Sequence, residues 1–327
     1  MKKIIHCYNS KELLFSLIEF FESDNTVLIL TAENTRVSTS IINKISELKH
    51  NYRNRIFINY VDVSRNNTIL RKLFNKIKLY AFLADISFRF AFRKKRFYFF
   101  NITKVYEILK FRSENSLLEH GSGTYSDRTM SWKGDRLFNN SFCGGLSSRI
   151  NYVLLQKPEL APEAILEKVR KYDVYAKFKK INVEHQKTIN DIFSLDLSID
   201  YKNVLITQHY SESGYFSESE KVDIYKKIIH EFNLDSVCIK PHPRETTDYK
   251  SFIECEVIDK YLPFELLLLN DINFDNVITI SSSTGLIDSD KTKVHVLGDS
   301  YDKRIYDEEV RREKEDKIIN VNKDYTT

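Results

Sequence analysis

From the amino terminus, short β-branched or aromatic runs alternate with longer stretches whose apolar residues recur every three or four positions. KIIHCY, TVLILTA and RIFINYVDV read as strands, with ELLFSLIEFFE and TSIINKISELKH between them as amphipathic helices. The opening is therefore βαβαβ. After Tyr98, FFNITKVYEILKF leads into a short strand at Ser116 to Glu119, and a polar loop runs from Gly121 to about Ser148. A loop of that length within a compact domain marks a site or a lid more often than slack. A second series begins near Tyr201: VLITQHY, the amphipathic SESEKVDIYKKIIHEF, VCIKPHP, ECEVIDKYLPFELLLL, NVITISSSTGLI and VHVLG. Its strands end in polar residues.

The pattern predicts an α/β protein of two halves, residues 1–165 and 201–300, joined by a charged linker at 166–200 and closed by a charged helix and tail at 301–327. Ligands of open parallel sheets bind outside the carboxyl ends of the strands. Polar clusters at strand ends are therefore the places to look for chemistry.

Composition narrows the function classes. Of 327 residues, 42% are apolar and 29% charged, enough for one large core or two medium ones, which excludes disorder and collagen. Fifty lysines and arginines against 46 acids give +4, too balanced for a chain that coats nucleic acid. The four cysteines, Cys7, Cys143, Cys238 and Cys255, share no ligand spacing and read as reduced thiols of a cytosolic protein. MKKIIHC opens like a signal peptide, but Asn9 to Glu12 break the apolar run, and no stretch of about 18 apolar residues follows.

Four clusters stand at strand ends. In SLLEHGSGTYSD, Glu119 is presented beside Gly121 and Gly123, where a carboxylate can approach a hydroxyl and take its proton; an ordinary acidic turn is the plain alternative. In VCIKPHPRE, His242 is held between Pro241 and Pro243, and with Lys240 and Arg244 it makes either an anion site or a rigid turn. In NVITISSSTGLI, Ser281 to Ser283, Thr284 and Gly285 at a strand-to-helix junction suit a phosphate or cap a helix. In VLITQHYSESGYF, Gln208, His209, Ser211 and Gly214 line a cleft or form a polar turn. Glu265, after Pro263, accepts from a ribose diol or caps a helix. His185 and His230 read as surface residues, and Asp288-Ser289-Asp290 as a solvated turn rather than a metal site.

In order, EHGS, KPHP, FE and SSSTG resemble the metal-independent bacterial sialyltransferases of GT-B type in glycosyltransferase families 52, 80 and 38. The resemblance implies two Rossmann-like domains facing across a cleft, the first on the acceptor side and the second binding a CMP-sugar. It implies that Glu119 is the general base on the acceptor hydroxyl and that His242 and Pro243 meet the donor. Ser282 and Ser283 would hold the CMP phosphate, with Lys240 beside them, and Glu265 would hold the nucleotide, near Gln208. His120, Gly121 and Ser122 would belong to an acceptor-side loop. His120 stands where the family has a second acid; as a base it could accept a proton near neutral pH.

The expected reaction is inverting, metal-independent transfer of sialic acid or a related nonulosonate from CMP to a glycan hydroxyl. The acceptor would be galactose in a bacterial surface polysaccharide or lipooligosaccharide, and no cofactor is needed. The competing readings are a GT-B transferase using a UDP-sugar and a non-enzymatic basic module binding anionic lipid or RNA.

From Arg71 to Phe100, aromatic residues and cations interleave around one acid, Asp85. This suits peripheral contact with an anionic membrane, at the inner face of a bacterial membrane for a cytoplasmic enzyme, or a helix pair with a core-packed aromatic face. No nucleic-acid recognition motif accompanies it, so no nucleic acid is expected.

Overall fold

The structure, a computed structural model, describes residues 1–61, 69–101, 103–125, 128–130, 145–282, 292–315 and 318–320. The chain forms two units, Met1–Ile192 with Ile318–Thr327, and Phe193–Lys317.

In the first unit, β1 (Lys2–Cys7), α1 (Ser10–Glu22), β2 (Thr26–Glu33), α2 (Thr39–Asn51) and β3 (Ile56–Val61) realise the βαβαβ opening. Then come α3 (Ile69–Ile86), a π turn at Ser87–Ala91, β4 (Lys95–Phe99), α4 (Lys104–Leu109), β5 (Ser113–Leu118), β6 (Arg128–Met130), β7 (Tyr152–Leu155), β8 (Val169–Lys171), α5 (Val174–Lys180) and α6 (Val183–Ile192). Seven strands make one parallel sheet in the order β3-β2-β1-β4-β5-β7-β8. Ile4 lies opposite Val27 and Phe97. Consecutive residues of β1 and β2 are buried, as a sheet covered on both faces requires. The Asn9 side chain caps α1 by accepting from Glu12 N–H, and nearly all of that helix is buried against the sheet.

The expected linker at 166–200 belongs largely to this first unit. β8 extends the sheet, and α5 and α6 bury Val174, Phe178, Ile189 and Ile192. Lys177 of α5 ties to α1 through Glu22 at 2.6 Å and Glu19 at 3.0 Å. The unit thus reaches residue 192 rather than 165 because apolar residues lie at helical spacing within the charged sequence. Gly145 adopts φ +87° at the return to β7, where a Cβ would stand 2.2 Å from Val153 Cγ2, so glycine is required there.

The second unit holds β9 (Asn203–Ile206), α7 (Glu218–Glu231), β10 (Val237–Lys240), β11 (Glu256–Val257), α8 (Phe264–Leu269), β12 (Asn276–Thr279), β13 (Lys293–Val296) and α9 (Lys303–Glu315). Its five strands are again parallel, in the order β11-β10-β9-β12-β13. Leu205, Tyr225, Ile239, Ile278 and Ile305 are among its core. The segment expected as one charged helix and tail divides between the units. α9 stays in the second, whereas β14 (Ile318–Asn320) pairs antiparallel with β6 in the first. Both units are Rossmann-like, as the sequence predicts for a GT-B-like protein.

Candidate functional site

Each sheet has one point where the strand order turns back, between β1 and β4 in the first unit and between β9 and β12 in the second. Ligands of open α/β sheets bind outside the carboxyl ends at such points.

In the second unit, Ile206 of β9 pairs with both Lys240 of β10 and Thr279 of β12, so the exits of these three strands lie side by side. His242 follows β10 and is half-buried. Arg244 N–H donates to its Nδ1 at 3.2 Å, which leaves Nε2 as the ring nitrogen that carries a proton. The ring stacks on His209, with centroids 4.2 Å apart. His242 N–H donates to Glu245 Oε1 at 2.6 Å, and Thr207 Oγ1 donates to the same oxygen at 2.7 Å. Tyr249 hydroxyl donates to the other Glu245 oxygen, and buried Lys221 lies 3.4 Å from it. Lys221 also pairs with Glu212 at 2.9 Å. Burial opposes the Glu212 charge, but Lys221 and Thr246 N–H prevail and hold its pKa at about 2. Glu245 thus fixes the turn that carries His242.

Sequence reasoning missed Glu245, although the signal was present: a glutamate three residues after the N–H it accepts, the spacing of a capping box. Lys240 is buried, and its ammonium donates to Pro241 O at 2.9 Å and Lys260 O at 3.0 Å. Burial pushes it down to about 8. The expected phosphate ligand therefore spends donors on bracing the turn from behind. Glu265, in the first turn of α8, is buried and its charge acts on Lys240. Gln208 is half-buried, and its N–H donates to the Tyr225 hydroxyl at 2.7 Å. Pro243, Ser281 and Ser282 are half-buried. Ser283 and the Asp288 to Asp290 segment lie outside the described residues.

In the first unit, Glu119 follows β5 and continues its pairing, with N–H donating to Leu154 O at 3.0 Å. It is fully buried. Its carboxylate accepts from Gln156 N–H at 2.9 Å, from Gln156 Nε2 at 2.8 Å and from the Tyr125 hydroxyl. Burial and then the Glu119 charge raise the Tyr125 phenol well above its usual range, so it stays a donor. His120 is exposed at residue level, but crowding of its ring, then the charges of Lys11 and Arg36, push it down to about 4. Gly121 O accepts from Thr124 N–H at 3.0 Å in the short turn Ser122–Tyr125.

The turn-back point of this unit holds groups that the sequence did not single out. His6 is buried, with Nε2 2.8 Å from Thr31 Oγ1 and Nδ1 3.4 Å from Thr103 Oγ1, and burial pushes it down to about 3. Beside it is a cavity of about 310 Å³ lined by Tyr8, Thr31, Glu33, Asn59, Thr103 and Lys104, among others. Among the described residues nothing hydrogen-bonds the buried Asn59 Oδ1. No group of three His, Cys, Asp or Glu among the described residues is placed to hold a metal ion.

The sequence model of glycosyltransferase family 52 matches residues 93–297. An uncharacterized protein of Haemophilus influenzae (strain ATCC 51907 / DSM 11121 / KW20 / Rd) is 31% identical over 193 residues, which span 55% of this chain and 62% of that protein. Among solved structures, the 2,6-sialyltransferase of Photobacterium sp. JT-ISH-224, in a ternary complex with the donor product CMP and the acceptor substrate lactose, is similar with a TM-score of 0.58 at 14% identity. The match covers 90% of this chain and 71% of that one. The α/β-galactoside α-2,3-sialyltransferase of Photobacterium phosphoreum gives a TM-score of 0.54 at 12% identity and covers 90% of each chain. At these identities the likeness is one of fold.

Proposed function

Because the chain belongs to glycosyltransferase family 52, we propose that it moves sialic acid, or a related nonulosonate, from its CMP-activated form to a hydroxyl of a glycan acceptor, with inversion and without a metal ion. The observation that carries this reading is the placement of His242: its Nδ1 accepts from Arg244 N–H, Glu245 holds its backbone N–H, and Nε2 carries the ring proton beside the exits of β9 and β12. A donor fixed by a buried carboxylate needs no reorganisation as charge develops on a departing phosphate.

In this mechanism the acceptor oxygen forms a bond to the anomeric carbon as the bond from that carbon to the phosphate oxygen breaks, through an oxocarbenium-like state. CMP leaves with the electron pair, cradled by His242, Ser282 and Ser283. Glu265, Gln208 and Pro243 hold the nucleoside, while Lys240 supports the turn beneath it. The acceptor proton passes to Glu119, whose carboxylate Gln156 aligns; the acceptor hydroxyl takes the place of the Tyr125 hydroxyl on it. The cavity with Thr31, Asn59 and Thr103 offers the mixed donors and acceptors that a sugar polyol needs. The same reading places the enzyme in the cytoplasm.

Product analysis after incubation with CMP-sialic acid and a panel of galactosides tests it. A sialylated product formed equally well in EDTA is expected, and Glu119→Gln should lower transfer by about 10²-fold or more. Absence of product from every galactoside, or full turnover by Glu119→Gln, overturns the reaction or the base respectively.

A further inference from the structure

The outward side of α3 is apolar. On a helix advancing about 100° per residue, Leu83 and Ile86, followed by Phe90 in the π turn, face the core of the first unit. Phe74, Ile77, Ala81, Ala84 and Phe88, spaced by alternate threes and fours, fall on the opposite side. Phe74 is 64% exposed, Ile77 59% and Phe88 89%, and Phe92 just beyond is 78% exposed. The helix therefore has two apolar stripes where a surface helix of a globular protein has one. Among the described residues of this unit, only the inner stripe has a covering. Arg71, Lys78 and Arg89 flank the outer stripe, and from 71 to 94 there are seven lysines and arginines in all against one acid, Asp85, which Arg89 pairs at 2.7 Å.

We propose that this face docks on an anionic lipid bilayer, with Phe74, Ile77, Phe88 and Phe92 in the acyl boundary and the flanking cations among the headgroups. Charge selects this occupant. A second copy of the chain, seated symmetrically on the same face, would set its net positive flank against an identical one, and like charges facing each other repel. A nucleic acid would meet the cations but would leave Ile77 and Leu73 against phosphates and water. A bilayer supplies both partners at once, negative headgroups and hydrocarbon. The attachment is peripheral, since among the described residues no helix is long and apolar enough to cross a membrane. It is independent of the transfer reaction, so a protein with no transferase activity would still show it.

Co-sedimentation of the full chain with phosphatidylcholine vesicles, with and without phosphatidylglycerol, tests the proposal. The wild-type chain should pellet with the anionic vesicles alone and be released by high salt. Phe74→Ser combined with Phe88→Ser should weaken binding by about tenfold or more at an unchanged melting temperature. Arg93→Glu combined with Lys94→Glu, at two exposed positions, should do the same and serves where the serine variant fails to fold. Three results overturn the proposal: wild-type protein left in the supernatant, equal binding to both vesicle types, or a dimer in solution that Phe88→Ser disperses.

Discussion

Glu12, in the first turn of the first helix of the chain, keeps its proton where most carboxylates lose it. Burial outweighs the hydrogen bonds from Tyr8, Asn9 and Asn101 and raises its pKa from 4.5 to about 7. The stability linked to that proton is complete below 4.5 and is lost as pH rises through about 7, because the unfolded chain then gives up its proton first. The shift corresponds to roughly 3 kcal/mol. Glu12→Gln should flatten the fall in melting temperature between pH 4.5 and 7; an unchanged slope would assign it to another group.

At the scale of elements, α7 carries a complete capping box: the Ser217 side chain accepts from Glu220 N–H, and the Glu220 carboxylate accepts from Ser217 N–H. Ser217→Ala should cost about 1 kcal/mol, read from the midpoint of urea unfolding at unchanged m. That helix was legible because SESEKVDIYKKIIHEF has both its cap and its period in the sequence. The strands KIIHCY, TVLILTA and VCIK were legible for a similar reason, since β-branched runs buried on both faces need no alternation. β4 was not. KRFYF places Lys95 and Phe97 on the buried side, and the lysine looks out of place until the structure shows its ammonium on Phe111 O at 2.8 Å and on Ala91 O and Arg93 O, each at 3.3 Å. α5 and α6 were hidden by charge, because Lys177 is a core-closing residue only once Glu19 and Glu22 of α1 stand beside it. The candidate site divides in the same way. His242 and Glu119 could be found from strand-end position, whereas the job of Lys240 depends on two carbonyls, one of them twenty residues away.

For the whole molecule, the donor is the natural probe. If the second unit binds CMP, nucleotide at about 100 times its Kd should stabilise the folded chain by about 2.7 kcal/mol, visible as a rise in melting temperature that UDP does not reproduce. Equal shifts with both nucleotides would favour the UDP-sugar alternative, and no shift with either would remove the nucleotide site.

The order of the two units along the chain has a consequence of its own. Residues 193–317 are an insertion, left at Ile192 and rejoined by β14 against β6. A protease that nicks the chain once, in the stretch before β9, would not release the inserted unit, because its far end stays sewn to the host through a strand pairing. Two cuts are needed to free it, and fragments from a single cut should travel together on a sizing column until denaturant parts them.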